Sequence, residues 1–205
     1  MKRIITRGAL TLTLAALSAA SLSAQAQSQA PNASTEPVLA KELAPARNLA
    51  KLTVTSGAFQ SGGTLGDKYT QNGDNVSPPI TWSRGPAGTM SYVVLTEDAG
   101  VNRPDPVSHW VIYDIPSTVT NLPENTPTEA KLDNGAMQGL NVRKATGFIG
   151  PKPPAGQMHP YHFEVFALNK RLNIDPATAD RAAVVAAMKG HVLALGDLSA
   201  YYTGK

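Results

Sequence analysis

With four histidines and no cysteine in 205 residues, the side chains able to do chemistry are imidazoles, carboxylates and hydroxyls. They gather in three places. Glu97 and Asp98 close a strand-like run, and Ser108-His109-Trp110 follows; a carboxylate at a strand end can hydrogen-bond an imidazole and hold it in one orientation. Further on, Gly147-Phe148-Ile149-Gly150-Pro151-Lys152-Pro153-Pro154-Ala155-Gly156 leads into His159-Pro160-Tyr161. Glycines let a backbone approach a ligand closely, and prolines hold the loop in place before binding. His159 and Tyr161 stand at i and i+2, so on an extended segment they share a face. An imidazole and a phenol side by side are donors suited to an anionic oxygen. The third cluster, Asp74-Asn75-Val76-Ser77-Pro78-Pro79-Ile80-Thr81-Trp82, reads as a rigid loop entering a strand, with Trp82 in the core.

Other chemistries fit poorly. His159 and His162 have an H-x-x-H spacing, but residues three apart on a strand face opposite sides, and Pro160 opposes a helix. A zinc site needs three or four converging ligands, so no metal and no cofactor is expected. There is no G-x-S-x-G, no P-loop and no cysteine nucleophile. Ser108, His109 and Asp98 spell a triad on paper, yet neighbouring side chains on a strand diverge. No catalytic residue is assigned.

The elements that must position these groups are mostly strands. Residues 52–55 alternate apolar and polar, and 91–95, 110–115 and 161–168 are β-branched and aromatic runs of strand length. Gly62-Gly63 and Asn72-Gly73-Asp74-Asn75 punctuate as turns. Short strands between Gly/Pro loops predict a mainly β, antiparallel sandwich with a few peripheral helices. One of these is C-terminal: over 180–195, Val184, Val185, Met188, Val192 and Leu195 share a helical stripe, Gly190 is a weak point, and Gly196 is placed to end it.

Lys2, Arg3 and Arg7, an Ala/Leu/Thr-rich stretch over 8–22 and the Ala24-Gln25-Ala26 step read as a cleaved secretory leader, 1–26. The stretch is interrupted by Thr11, Thr13, Ser18 and Ser21 and is short for a transmembrane span. The expected location is periplasmic or secreted. Without the leader's three basic residues, the 18 Lys+Arg become 15 against 15 Asp+Glu. The basic balance therefore belongs to the leader, and nucleic acid is not an expected partner. Residues 27–50, rich in Ala, Pro, Ser and Gln, read as a tether with little fixed structure, with a short helix near 38–43 as an option. Residues 51–205 form the domain, which without cysteines rests on its core.

The clusters, taken in order, resemble the phosphatidylethanolamine-binding protein family, in its bacterial Raf kinase inhibitor-like branch. The marks are Gly73 with Asn75-x-Ser77-Pro78-Pro79 and Trp82; Glu97-Asp98; His109-Trp110-Val111-x-Tyr113; Gly150-Pro151-x-Pro153-Pro154-x-Gly156-x-x-His159-x-Tyr161-x-Phe163; and Met188-x-Gly190-His191-Val192-Leu193. The resemblance implies an antiparallel sandwich with a small pocket for phosphate- or carboxylate-bearing anions, phospholipid headgroups included. It places Asp98, His109, Gly150, Pro151, His159 and Tyr161 around that pocket. It also leaves room for a homodimer. Two departures stand out. Asp98-Ala99-Gly100 lacks the family's second carboxylate, which Asp105 is the candidate to replace, and Pro160 stands where the family commonly has Arg.

The expected function is non-catalytic binding of a small anionic ligand. The alternative is a protease- or kinase-inhibitor-like module whose protein partner meets the loops at 100–107 and 116–134; export would put cytoplasmic kinases out of its reach. A phosphoester or acyl hydrolase ranks third.

Overall fold

Three strands buried on both faces form the middle of the molecule, which is why their sequences read as nearly continuous apolar runs. The computed structural model describes residues 36–44 and 49–205. The leader expected at 1–26, and residues 27–35 and 45–48 of the expected tether, lie outside the described residues. The strands are β1 (Ala50–Lys51), β2 (Val54–Thr55), β3 (Gly63–Thr64), β4 (Ile80–Trp82), β5 (Ser91–Asp98), β6 (Val107–Pro116), β7 (Asn121–Leu122), β8 (Met137–Gln138), β9 (Met158–Leu168) and β10 (Val192–Thr203). Two α-helices accompany them, α1 (Ala40–Leu43) and α2 (Arg181–Met188).

The larger sheet runs β1-β10-β9-β5-β6-β8, with β3 also on β10, and β2, β4 and β7 form a smaller one. Pairing is antiparallel except for the two-residue contacts of β1 and β3 with β10. Between the sheets, Tyr92, Val94, Trp110, Ile112, Phe163 and Val165 meet Val54, Ile80, Trp82 and Leu122. On the outer face Val93, Leu95, Val111, Tyr113 and Phe166 lie under Val184 and Met188 of α2 and Ala40 of α1. Each such side chain, fully buried, stabilises by roughly 1.5–3 kcal/mol. The result is a mainly β sandwich with peripheral helices. No helix among the described residues is long and apolar enough to cross a membrane.

The C-terminal helix is shorter than its apolar stripe predicts. Asp180 caps it, its carboxylate accepting from the Ala183 amide at 3.1 Å, and it stops at Met188. Gly190, at φ 80°, turns the chain back, a left-handed step that glycine takes without a Cβ penalty. Val192 and Leu195 then belong to β10, whose burial alternates from Ala194 to Tyr202. Gly196 ends no helix. It lies within the strand, where a β-carbon would overlap the Leu52 carbonyl. Pairing with β9 from Val192 to Thr203 overrides the helix preference of this Ala/Leu-rich stretch.

The other correction concerns the expected tether, because its described part, 36–44, is docked. Leu39 and Ala40 are buried. The first amides of α1 meet two carboxylates on the outer face: Ala40 N–H donates to Glu97 Oε2 at 3.0 Å and Lys41 N–H to Glu164 Oε1 at 3.3 Å. Lys41 Nζ reaches Asp197 Oδ2 at 2.6 Å. Arg181 Nε donates to Glu97 Oε1 at 2.6 Å and its Nη2 to the Val38 carbonyl at 2.7 Å. The helix option near 38–43 was sound, but burial of Leu39 is not visible in a stretch whose composition is that of a linker.

Glu97 and Glu164 have no exposed surface, and Glu164 Oε2 has no hydrogen-bond partner. Burial, then the charges of Glu97 and Asp197, push the Glu164 carboxyl well above its ordinary value of 4.5. The folded state thus holds a proton that the unfolded state releases, so this group's contribution to stability declines as pH rises above 4.5. Glu164→Gln keeps an acceptor for Lys41 and has no charge to bury. It is expected to exceed the parent in stability by ~1–2 kcal/mol at about pH 8 and to match it near about pH 5. Thermal unfolding at both pH values checks this; a difference independent of pH would refute it.

Candidate functional site

β5, β6 and β9 are adjacent, so groups far apart in sequence converge where Asp98 ends β5. Asp98 pairs in register with Val107 of β6 and Tyr161 of β9. On β6, Ser108 pairs with Glu97 but Trp110 with Thr96, which leaves His109 as the extra residue of a β-bulge. Bulges re-aim a side chain, and this one turns the His109 ring edge-on to Tyr161, with centroids 5.3 Å apart. His159, two residues before Tyr161 on the same face of β9, stacks on its other side at 6.5 Å.

The hydrogen bonds orient both imidazoles. His159 Nδ1 lies 2.9 and 3.0 Å from the two Asp98 oxygens, so it carries the proton and donates. Asp98 Oδ1 also accepts from the Gly100 amide at 2.7 Å. Gly100 is required there, because a β-carbon would overlap the His159 ring. His109 Nδ1 donates to the Ile149 carbonyl at 2.7 Å, and the Ile149 amide donates back to the His109 carbonyl at 3.0 Å. In neutral His109 the proton is therefore on Nδ1, and Nε2 is a free acceptor.

The glycine-proline loop is braced from its far side. Asn75 Oδ1 accepts from the Gly150 amide at 2.7 Å, Gln71 Nε2 donates to the Gly150 carbonyl at 2.7 Å, and the Gln71 amide donates to the Pro151 carbonyl at 3.0 Å. Asn75 and Gln71 escaped the sequence reading. The turn at 72–75 was visible in it, and Asn75 at φ 57° is a residue type that tolerates that conformation. Their reach to Gly150 was not.

Burial sets the electrostatics. His109 and His159 are 4% and 6% exposed. Burial lowers the pKa of His109, against the hydrogen bond to Ile149 and the charge of Asp98. Burial also raises the Tyr161 phenol, as does the nearby Asp98 charge, so Tyr161 keeps its proton as a donor. Its hydroxyl, fully buried, has no hydrogen-bond partner.

Asp98, His109, His159 and Tyr161 are thus brought together, and Gly150 and Pro151 follow directly on Ile149, the acceptor for His109. Asp105 does not join them. Its side chain is 85% exposed and lies 3.7 Å from Arg181, so no second carboxylate is restored. His162 points to the opposite face and pairs with Asp197 at 2.9 Å, which separates it from His159. Ser108 Oγ has no hydrogen-bond partner, and the ring of its neighbour His109 is turned to Ile149. Four larger hollows, of roughly 330–480 Å³, lie elsewhere, and neither His109 nor His159 lines them. Space between the rings suits a group of a few atoms.

Residues 55–203 match the family model described as phosphatidylethanolamine-binding protein. The chain is 38% identical to a protein of Methanothermobacter thermautotrophicus designated UPF0098, over 71% of this chain and 94% of that one. A protein of the same designation from Aquifex aeolicus is 37% identical, covering 74% and 88%. Among solved structures, E. coli YbcL, described as a member of the mammalian PEBP family, superposes with TM-score 0.70 at 32% identity, covering 76% of this chain and all of that one. A PEBP homologue from Chlamydia trachomatis gives TM-score 0.67 at 30% identity, covering 76% and 99%.

Proposed function

The chain belongs to the phosphatidylethanolamine-binding protein family, and from that premise we propose that it binds a small anion, phosphate- or carboxylate-bearing, between His109 and His159 without transforming it. The observation that carries this reading is the Tyr161 hydroxyl, buried between the two imidazoles and without a partner. A buried donor left unpaired costs free energy, and an oxyanion seated there removes that cost. Protonated His109 adds a charged donor at Nε2, and the braced Gly150-Pro151 turn keeps the rim in place. The leader pattern at 1–26 supports action outside the cytoplasm.

Titration with inorganic phosphate, followed by imidazole NMR signals, tests the reading. His109 and His159 are expected to shift together. Tyr161→Phe is expected to weaken binding by about tenfold, the worth of one hydrogen bond to a charged group, while leaving folding stability equal or slightly higher. Fixed imidazole signals, or a Tyr161→Phe protein that binds as the parent does, would sink the assignment.

A further inference from the structure

We propose that this site selects anions without a positive end, so that a phosphate monoester lacking an amine is bound in preference to phosphoethanolamine. The inference rests on the anion-binding reading above and adds the chemistry of the far end of the guest.

A zwitterion gains over a plain anion only if a carboxylate is free to meet its ammonium. At this site Asp98 is the acid whose charge acts on both His109 and Tyr161. Both of its oxygens are engaged: Oδ1 by His159 and the Gly100 amide, Oδ2 by His159. An approaching ammonium would have to compete with His159 for them.

The loop after Asp98 supplies no substitute. Gly100 lies so close to His159 that a side chain there would overlap the ring. Asp105 is held on the outer face by Arg181, and the docked N-terminal segment fixes the loop in that position. The Val38 amide donates to the Pro104 carbonyl at 3.0 Å, and Arg181 also holds the Val38 carbonyl.

The opposite rim is neutral or basic. Gln71 and Asn75 face Gly150 with amides, Arg143 Nη2 donates to Gln71 Oε1 at 2.5 Å, and Lys152 is exposed. Asp74 is exposed beside Asn75. With anion binding drawing a proton onto His109, an ammonium on the same small ligand meets like charge and no free partner.

Isothermal titration of the purified protein at about pH 6 with inorganic phosphate, glycerol phosphate and phosphoethanolamine tests the idea. The first two are expected to bind at least about fivefold more tightly than the third, in keeping with one uncompensated like-charge contact. Asp74→Asn and Asp105→Asn are expected to leave that ratio unchanged. Vesicles of phosphatidylglycerol separate the two sources of the same chemistry. Retention on them assigns a lipid headgroup, and phosphate binding without retention assigns a soluble phosphate, under one selectivity rule. If phosphoethanolamine binds as tightly as phosphate, or either Asn variant changes the ratio, the selectivity is wrong and the anion site stands. If none of the three ligands binds, both fail.

Discussion

Arg181→Ala is expected to lower folding stability by about 3–5 kcal/mol near about pH 8, the usual cost of leaving one partner of a buried ion pair alone. Glu97 has no exposed surface, and its guanidinium partner is 12% exposed. The same guanidinium ties the Val38 carbonyl and Asp105, so its loss also loosens the docked segment and the loop after Asp98. Burial already raises the Glu97 carboxyl, with Arg181 opposing the rise. Without Arg181 the carboxyl moves further up, and the folded protein binds a proton that the unfolded chain gives away above 4.5. The deficit therefore shrinks as pH falls toward that value. Denaturant unfolding of parent and variant at about pH 8 and about pH 5 measures both parts. A loss under about 1 kcal/mol at the higher pH would show that the pair behaves as a surface contact. Arg181→Met combined with Glu97→Gln should recover most of the loss, since no charge is then left buried.

Sulfate affinity should weaken by up to about tenfold per pH unit across the range where binding takes up one proton. Sulfate does not itself titrate there, so the slope reports the protein. Burial holds the free protein's His109 below its ordinary 6.5, and its Nδ1–H is committed to Ile149. Only a second proton, on Nε2, makes the ring a donor toward the anion. A bound anion favours that proton and raises the His109 pKa, so affinity rises as pH falls from the bound-state value to the free-state value and levels off below it. Calorimetric titrations between about pH 5.5 and about pH 8 give the slope. His109→Gln, which donates without titrating, should flatten it. A parent protein with flat affinity would remove His109 from the binding charge.

Much of the architecture was readable as texture. The runs at 91–95, 110–115 and 161–168 form the cores of β5, β6 and β9, because only strands buried on both faces carry so many β-branched and aromatic residues in a row. The residues of the site were readable as types: a carboxylate closing a strand, two separated histidines, a phenol two positions from one of them, and a glycine-proline loop. Where reading from local pattern failed, a long-range contact outweighed local preference. Val192 and Leu195 fit a helical stripe until β9 claims them as a strand, and residues 36–44 look like linker until Glu97 and Glu164 receive the amides of α1.

Residue order along the chain therefore settled which groups are present, which segments extend, and that His159 and Tyr161 share a face, because period-two geometry is local. Folding settled the rest: the bulge that turns His109 toward Tyr161, the commitment of Asp98 to His159, the loss of Asp105 to Arg181, and the bracing of Gly150 by Asn75. Each of these joins residues from different segments of the chain. Their energies depend on burial and on which donor arrives first at an acceptor, and neither is written in the spacing of residues along one strand.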